Sequence, residues 1–194
     1  LLHGAPGDGS FEFALALAQA WLCESPQTNE HGGGQGGVQE TRPCGHCASC
    51  SLVQSMTHPD LNLRMPQAEA LARGWPVTVE ANRKPSRQIR IGEVREAIDW
   101  ISTTTARGRA KVLVLFPAEM MNDAAASALL KTLEEPSPSA RILMCAAEPA
   151  RLMPTVRSRC QHVVLPRPTV AQASEWLQAQ GVADAPALLA AAAG

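Results

Sequence analysis

The sequence lacks a large net charge of either sign, because its 17 Lys and Arg residues nearly balance 18 Asp and Glu residues, which leaves a formal net charge of −1. A chain this close to neutrality has no global attraction to nucleic acid or to an anionic membrane, so any DNA contact would come from a local patch or a partner. It also lacks a run of about eighteen apolar residues, which argues against a membrane-spanning helix. The first residues, Leu1 to Gly4, carry no signal-peptide pattern and are typical of a strand.

The six cysteines do not follow the pattern of a secreted disulfide framework, because they accompany enough apolar residues for a large core. They favour a reducing compartment, which predicts a cytoplasmic protein. Cys44, Cys47 and Cys50 are separated by two residues each, a spacing that lets a chain fold around one ion with tetrahedral geometry. We therefore predict a structural zinc (Zn2+) site with Cys23 as the fourth ligand and His46 as the alternative.

A glycine-rich loop near the start is typical of a phosphate-binding loop but lacks the side chains that would bind nucleotide. Four residues separate Gly4 from Gly9, and the order of strand, loop and helix is that of a P-loop. The next two residues should be Lys and Ser or Thr, but Ser10 and Phe11 stand there. A lysine–phosphate contact contributes roughly 1.5–3 kcal/mol. The remnant, which also includes Gly7, is predicted to be a turn that binds no ATP productively.

The middle of the sequence predicts a strand, a helix and a strand. Residues 112–116 and 142–146 are short apolar runs, typical of buried strands in a parallel sheet. Between them, residues 122–135 have a helical stripe of apolar side chains. In a working P-loop ATPase the first strand ends in acids that hold magnesium, but Phe116 and Pro117 stand there. A second half of the ATP site is therefore missing.

Three further segments have weaker patterns. Residues 24–42 are rich in Gly and Gln and are predicted to form a flexible loop without packed structure. Residues 64–87 contain several prolines and predict an irregular surface excursion, whereas residues 91–102 are typical of an amphipathic helix. His58 and Asp60 are interpreted as part of a turn before a short strand rather than as catalytic groups.

Three motifs together resemble the bacterial clamp-loader ATPases of DNA polymerase III, the gamma/tau–delta-prime group of the AAA+ family. They are the segment ALLKTLEEP at residues 128–136, the tripeptide Ser158-Arg159-Cys160 and the cysteine cluster. The motor subunits of that group keep the P-loop lysine and the strand-end acids that are missing here. The resemblance is therefore to the non-hydrolysing delta-prime branch, and Ala146 in place of a polar sensor residue favours the same branch.

The resemblance covers residues 1 to about 168 and implies an α/β fold, with an AAA+ parallel sheet between flanking helices. A zinc-knuckle module at about residues 23–50 would be inserted in that domain. A small helical lid domain is expected to start at residue 169, after the sequence Pro166-Arg167-Pro168, and to be truncated at residue 194. The collar domain that assembles the hetero-pentamer of the full-length form would lie outside this sequence.

The resemblance also implies roles for the Ser158-Arg159-Cys160 turn. In these loaders the arginine of this motif reaches across a subunit interface to the γ-phosphate of ATP on the neighbouring motor subunit. Arg159 is therefore expected to act in trans as an arginine finger, a planar and always-charged group that neutralises transition-state charge. Ser158 and Cys160 are expected to shape the turn.

These implications predict a non-hydrolysing clamp-loader subunit, without catalysis or bound ATP of its own, within the DNA polymerase III holoenzyme. Its partners would be the gamma/tau and delta subunits and, through the complex, the sliding clamp and primed DNA. Two alternatives stay open at this point. A gamma/tau-type motor with unusual nucleotide-site residues predicts ATP binding by this chain. A zinc-dependent nucleic-acid binder acting alone predicts DNA affinity that falls steeply with salt.

Overall fold

The chain folds as an α/β structure, seen in a computed structural model that describes residues 1–4, 7, 9–30, 39–79, 83–182 and 184–192. The strands in these ranges are β1 Leu2–His3, β2 Gln27–Glu30, β3 Gln39–Arg42, β4 Leu61–Arg64, β5 Lys111–Leu115, β6 Ala140–Ala146 and β7 Val163–Val164. The α-helices are α1 Ser10–Leu22, α2 Ala48–Gln54, α3 Gln67–Ala72, α4 Ile91–Ile101, α5 Asp123–Glu134, α6 Pro154–Arg157, α7 Val170–Ala179 and α8 Ala185–Ala192.

A parallel sheet of five strands, in the order β4-β5-β6-β1-β7, forms the centre of the molecule. All five residues of β5 are buried, and their side chains alternate between two apolar cores. Val112 and Val114 face the core that contains the buried side of α1, whereas Leu113 and Leu115 face the core formed with α4 and α5. The sheet is therefore covered by helices on both faces, as its continuous apolar strands require.

The central strand, helix and strand are confirmed. Residues 112–116, 122–135 and 142–146 correspond to β5, α5 and β6, with ends that differ by at most two residues. α5 starts where it does because the Asn122 side chain caps it, with Ala125 N–H donating to Asn122 Oδ1 at 2.8 Å. This helix carries most of the ALLKTLEEP segment, and its C-terminal end lies beside the turn that contains Arg159.

Two expectations about irregular segments are wrong. Residues 24–42 are not without structure, because β2 and β3 pair in an antiparallel ladder from Gln27–Arg42 to Glu30–Gln39. The glycine-rich residues 32–37 between them lie outside the described residues. Residues 64–87 contain the short helix α3, which starts directly after Pro66.

Two helices follow the sheet where a second domain is predicted. α7 begins directly after Thr169, whose hydroxyl caps it by accepting from Gln172 N–H at 3.3 Å, and α7 buries none of its residues. The division of the chain at residues 168 and 169 stays a prediction. None of the helices in the described ranges is long and apolar enough to cross a membrane.

Candidate functional site

Two glycines of the loop before α1 have the left-handed backbone that is common in tight turns. Gly7 and Gly9 have φ angles of 78° and 76°, in the left-handed region that glycine adopts without strain. α1 follows at once, with Phe13 N–H donating to Gly9 O at 2.8 Å, and Ser10 is buried at its first position. Residues 5, 6 and 8 of this loop lie outside the described residues. The side chains after the turn therefore decide what this corner can bind.

Aromatic side chains fill the corner between this turn and the end of β5. The ring centroids of Phe11 and Phe116 lie 4.8 Å apart, and Trp75 lies 5.9 Å from Phe11. The Arg73 guanidinium covers both phenylalanines, 4.5 Å from one ring centroid and 4.6 Å from the other. Where a P-loop ATPase needs a hydroxyl and acids for magnesium, this chain therefore has a packed apolar cluster covered by one arginine.

The Arg73 guanidinium is held by two glutamates as well as by its contact with the two rings. Its Nε donates to Glu69 Oε1 at 2.9 Å, and its Nη1 donates to Glu12 Oε1 at 3.3 Å. Sequence reasoning missed this residue, because it treated residues 64–87 as irregular. The available signal was the Glu69–Arg73 spacing of four residues, which is typical of an ion pair on one helix face.

Glu119, which follows Pro117 by two residues, does not replace the missing acids. Its Oε1 accepts hydrogen bonds from the backbone N–H groups of Ala147 and Glu148, at 3.0 and 3.2 Å. Its Oε2 is buried and has no hydrogen-bond partner among the described residues. This carboxylate therefore fixes the chain just after β6.

Arg159 lies in the turn after α6, and its guanidinium is held on two sides. Nε and Nη2 approach Glu134 Oε1 at 2.6 and 2.5 Å, and Nη1 donates to Thr155 O at 2.9 Å. The side chains of Arg159 and Glu134 are 33% and 48% exposed, so solvent reaches the pair. Ser158 Oγ donates to Thr155 O at 3.2 Å and helps to close the turn. Sequence reasoning missed Glu134, although it lies within the ALLKTLEEP segment.

Cys160 anchors the end of the same turn. Its Sγ donates to Val156 O at 3.1 Å, and burial raises the pKa of its thiol. A half-buried, protonated thiol is a packing group rather than a nucleophile. The side chain thus acts together with α6 to hold the backbone at Arg159.

Four cysteines lie close enough to hold one metal ion. The Sγ atoms of Cys23, Cys44, Cys47 and Cys50 all lie within 4.8 Å of one another. The separation is 3.5 Å for Cys23–Cys44 and 3.9 Å for both Cys23–Cys47 and Cys44–Cys50. Thiolates at about 2.3 Å from a tetrahedral zinc ion stand roughly 3.8 Å apart, so the cluster fits that ion. His46 Nδ1 instead lies 2.8 Å from Cys44 O, and His46 is not part of the cluster.

Backbone N–H groups of the cysteine turn point at the sulfur atoms. Cys47 N–H donates to Cys44 Sγ at 3.3 Å, and Cys50 N–H donates to Cys47 Sγ at 3.4 Å. Burial opposes ionisation of Cys47, but hydrogen bonds from the backbone lower the pKa of its thiol to about 6. Burial raises the pKa of Cys50 to about 12. The turn thus supplies donors to thiolates, as metal-binding cysteine knuckles do.

A polar network joins the cysteine cluster to the sheet. Ser49 Oγ, next to Cys50, donates to Glu24 Oε1 at 3.1 Å and accepts from Arg107 Nε at 2.9 Å. Arg107 also forms an ion pair with Glu24, and its hydrogen bond lowers the pKa of that carboxyl group. His58 Nε2 lies 3.2 Å from Ser49 Oγ, and burial lowers the pKa of the imidazole. No local spacing signals this network, because its members are far apart in the sequence.

His58 and Asp60 lie in the turn before β4, as interpreted from the sequence. Asp60 N–H donates to His58 Nδ1 at 3.0 Å, which fixes the neutral tautomer that carries its proton on Nε2. The Asp60 carboxylate accepts from the backbone N–H groups of Ala106 and Arg107, at 2.8 and 2.9 Å. Both side chains are buried and committed to this turn and to the loop before β5.

A family model described as DNA polymerase III, delta subunit, matches residues 1–169. The chain is 36% identical over 187 residues to DNA polymerase III subunit delta' of Pseudomonas aeruginosa, covering 96% of this chain and 48% of that protein. It is 33% identical over 191 residues to the subunit of the same name from Escherichia coli strain K12, covering 98% of this chain and 49% of that protein. The chain thus spans about half the length of these relatives.

More distant similarity extends to the tau and gamma proteins of DNA polymerase III. Subunit tau of Escherichia coli strain K12 is 28% identical over 160 residues, which cover 82% of this chain and 20% of tau. Among solved structures, a DNA polymerase III gamma subunit-related protein of Thermotoga maritima is 20% identical with a TM-score of 0.44. That match covers 68% of this chain and 42% of the other.

Proposed function

The chain belongs to the family described as DNA polymerase III, delta subunit, and from this premise we propose that it acts as a non-hydrolysing clamp-loader subunit. It would sit beside a gamma/tau-type motor subunit, donate Arg159 to that subunit's ATP site and help to load the sliding clamp onto primed DNA. Its further partner would be the delta subunit, in a hetero-pentamer located in the cytoplasm. No catalysis takes place in its own nucleotide corner.

The observation that carries the proposal is the contact of Phe11 with Phe116. The two rings occupy both positions at which a P-loop ATPase presents oxygen ligands to magnesium, and Arg73 covers them. To admit a hydrated magnesium ion here, the chain would have to expose apolar rings to it and gain no ligand in return. The gamma/tau alternative requires the opposite, an open corner with oxygen ligands.

Arg159 supports the other half of the proposal. It is one of the few residue types that carry charge at every physiological pH, and its planar fork matches a phosphate group. The residue is partly exposed in a turn braced by Ser158 and Cys160, so a neighbour's phosphate can reach the guanidinium without unfolding the sheet. Arginine fingers of this kind contribute about 10³-fold or more to kcat in related phosphoryl-transfer enzymes.

The test is Arg159→Ala in the full-length protein, assembled with its motor and delta subunits. We expect the rate at the adjacent ATP site to fall by about 10³-fold, while the complex still assembles in size-exclusion chromatography. Arg151→Ala is the matched control, since Arg151 is an exposed arginine shortly before α6 and pairs with Glu148 instead of Glu134. Turnover that is unchanged by Arg159→Ala would remove Arg159 from the mechanism.

Nucleotide binding separates the proposal from the motor alternative. We expect the full-length protein alone to show no saturable binding of Mg–ATP at micromolar concentrations in isothermal titration calorimetry. A micromolar dissociation constant would contradict the non-hydrolysing assignment and favour a motor-type subunit.

We further propose that Cys23, Cys44, Cys47 and Cys50 hold one structural zinc ion. Four thiolates leave no open coordination position, so the ion would stabilise the module and catalyse nothing. Metal analysis of the purified protein should give about one equivalent of zinc, and Cys23→Ser should reduce it strongly while His46→Ala should not. Less than about half an equivalent in the unmodified protein would contradict the proposal.

A stand-alone nucleic-acid binder would instead show DNA affinity with a steep salt dependence.

A further inference from the structure

Glu134 occupies the edge of Arg159 that a phosphate group would need. Nε and Nη2 form one edge of the planar guanidinium, and such an edge recognises carboxylates and phosphates through two parallel hydrogen bonds. Here both nitrogens approach one oxygen, Glu134 Oε1, at 2.6 and 2.5 Å. On the opposite side, Nη1 is bound to Thr155 O at 2.9 Å. The guanidinium is therefore docked against its own chain.

We infer that Glu134 is a positioning residue that holds Arg159 docked, and that the phosphate of a neighbouring nucleotide has to displace it. The inference rests on the proposed role of Arg159 as an arginine finger. One edge cannot serve two anions at once, so the carboxylate and the phosphate compete for it. The docked pair is partly exposed, and pairs of this kind are weak enough to exchange.

The consequence is a two-state arginine. Without a nucleotide beside it, Arg159 is docked on Glu134 at the end of α5. A neighbouring triphosphate draws the guanidinium across the interface, because the phosphate carries more negative charge than one carboxylate. Once the γ-phosphate has left, the Glu134 carboxylate binds the Nε and Nη2 edge of Arg159 again. A ligand shifts such an equilibrium only by its differential affinity for the two states. The strength of the pair between Arg159 and Glu134 therefore sets the ATP concentration at which Arg159 changes state.

The direct test is Glu134→Gln in the full-length protein, assembled into the complex with its motor and delta subunits. The amide keeps the shape of the side chain and removes its charge. We expect the affinity of the adjacent site for a non-hydrolysable ATP analogue to rise about two- to fivefold, because less docking has to be undone. The KM for ATP should fall in parallel, and kcat at saturating ATP should not change. A lower kcat would show that Glu134 holds Arg159 in its active orientation, and unchanged affinity would show that it does not restrain Arg159; either result overturns the inference.

Two variants serve as controls. Glu135→Gln removes the same charge one residue further along, and among the described residues Glu135 makes no ion pair, so nucleotide affinity should not change. In an Arg159→Ala background, Glu134→Gln should have no effect on nucleotide affinity, because the group it restrains is gone. A two- to fivefold gain in either control would point to a general change in charge and would overturn the inference.

A second measurement does not depend on catalysis. The Nε–H of Arg159, observed by nuclear magnetic resonance in the full-length protein, should exchange with water several-fold faster in Glu134→Gln than in the unmodified protein. Equal exchange rates would overturn the docked state even if Arg159→Ala abolishes turnover. Conversely, slow exchange of the Arg159 Nε–H together with ATP turnover that Arg159→Ala leaves unchanged would refute the arginine finger and still support the contact with Glu134. The failure of the proposed function and the failure of the inference are therefore distinguishable.

Discussion

Arg73 and Arg159 are both partly exposed and both paired with glutamate, yet their surroundings differ. Arg73 lies over the rings of Phe11 and Phe116, and its edges are held by Glu69 and Glu12. Arg159 has polar partners only, and no aromatic ring of the described residues covers it. Arg73 would have to leave an apolar surface to move, whereas in the proposed mechanism Arg159 exchanges only one anion for another.

The two regions therefore hold an arginine in two different ways. At the first, the arginine covers packed aromatic rings that belong to the core. At the second, the arginine lies in a turn and is paired with a partly exposed carboxylate. The difference predicts that substitutions at the first region affect stability and leave function, while substitutions at the second affect function and leave stability.

The largest expected effect on stability comes from the aromatic corner. Phe11→Ala should lower the free energy of unfolding by about 3–5 kcal/mol, because it deletes a ring that is 3% exposed and contacts Phe116 and Trp75. Arg159→Ala should lower it by less than about 1 kcal/mol, since the pair with Glu134 is partly exposed. Equilibrium denaturation of the full-length variants measures both. In assembled complexes, Arg159→Ala should lower ATP turnover more than Phe11→Ala does. If the same variant had the larger effect in both assays, the division between stability at one region and function at the other would be wrong.

A smaller effect is expected at Arg73. Arg73→Gln should lower the free energy of unfolding by about 1 kcal/mol, because it removes the contact with two rings and two partly exposed ion pairs. Arg95→Gln, on the exposed side of α4, is the matched control and should change stability by less than about 0.5 kcal/mol. A cost at Arg73 no larger than at Arg95 would mean that the arginine is not part of the corner.

The smallest effect is a pH dependence that belongs to neither arginine. The pKa of His58 is lowered by burial below its ordinary value of 6.5, against the opposing influence of Asp60. The unfolded chain therefore takes up a proton near pH 6.5 that the folded chain does not, and stability falls as the pH falls from there towards the lowered pKa. The slope contributed by one group cannot exceed about 1.4 kcal/mol per pH unit.

His58→Gln should reduce that slope between about pH 5 and 6.5, as measured by denaturation at several pH values. Glu24, which faces the same imidazole through Ser49, stays ionised over this range because its pKa is lowered by the hydrogen bond from Arg107. Phe11→Ala and Arg159→Ala should shift the whole stability curve without changing its slope. A slope that depends on Arg159 would show that His58 and Arg159 are not electrostatically independent.

The parts of the fold that could be predicted are those with a strong local signal. β5 and β6 are continuous apolar runs, and α5 has a helical stripe and an asparagine cap. β2 and β3, with the sequences QTNE and QETR, have no apolar alternation, and it is their backbone pairing that identifies them. α3 has good helix formers but only six residues, too few for a periodic pattern.

In the candidate site, too, only the features with a local sequence signal could be predicted. The missing lysine and acids are readable because P-loop chemistry requires fixed residue types at fixed spacings. Three contacts cannot be predicted from the sequence, because each depends on tertiary packing between distant segments. They are the pair of Glu134 with Arg159, the position of Arg73 over two rings, and the ion pair of Arg107 with Glu24. The sequence therefore shows which P-loop residues this chain lacks, and only the folded structure shows which side chains occupy the corner.

The position of β1 has a consequence for the order of folding. Leu2 pairs with Cys145 of β6 on one side and with Val163 of β7 on the other, so the first strand lies between two strands that are synthesised last. Closing such long loops is entropically costly and slows folding. During synthesis β1 therefore has no partner until β6 and β7 emerge from the ribosome. Because the turn that carries Arg159 connects those two strands, the event that completes the sheet is also the one that fixes this arginine in place.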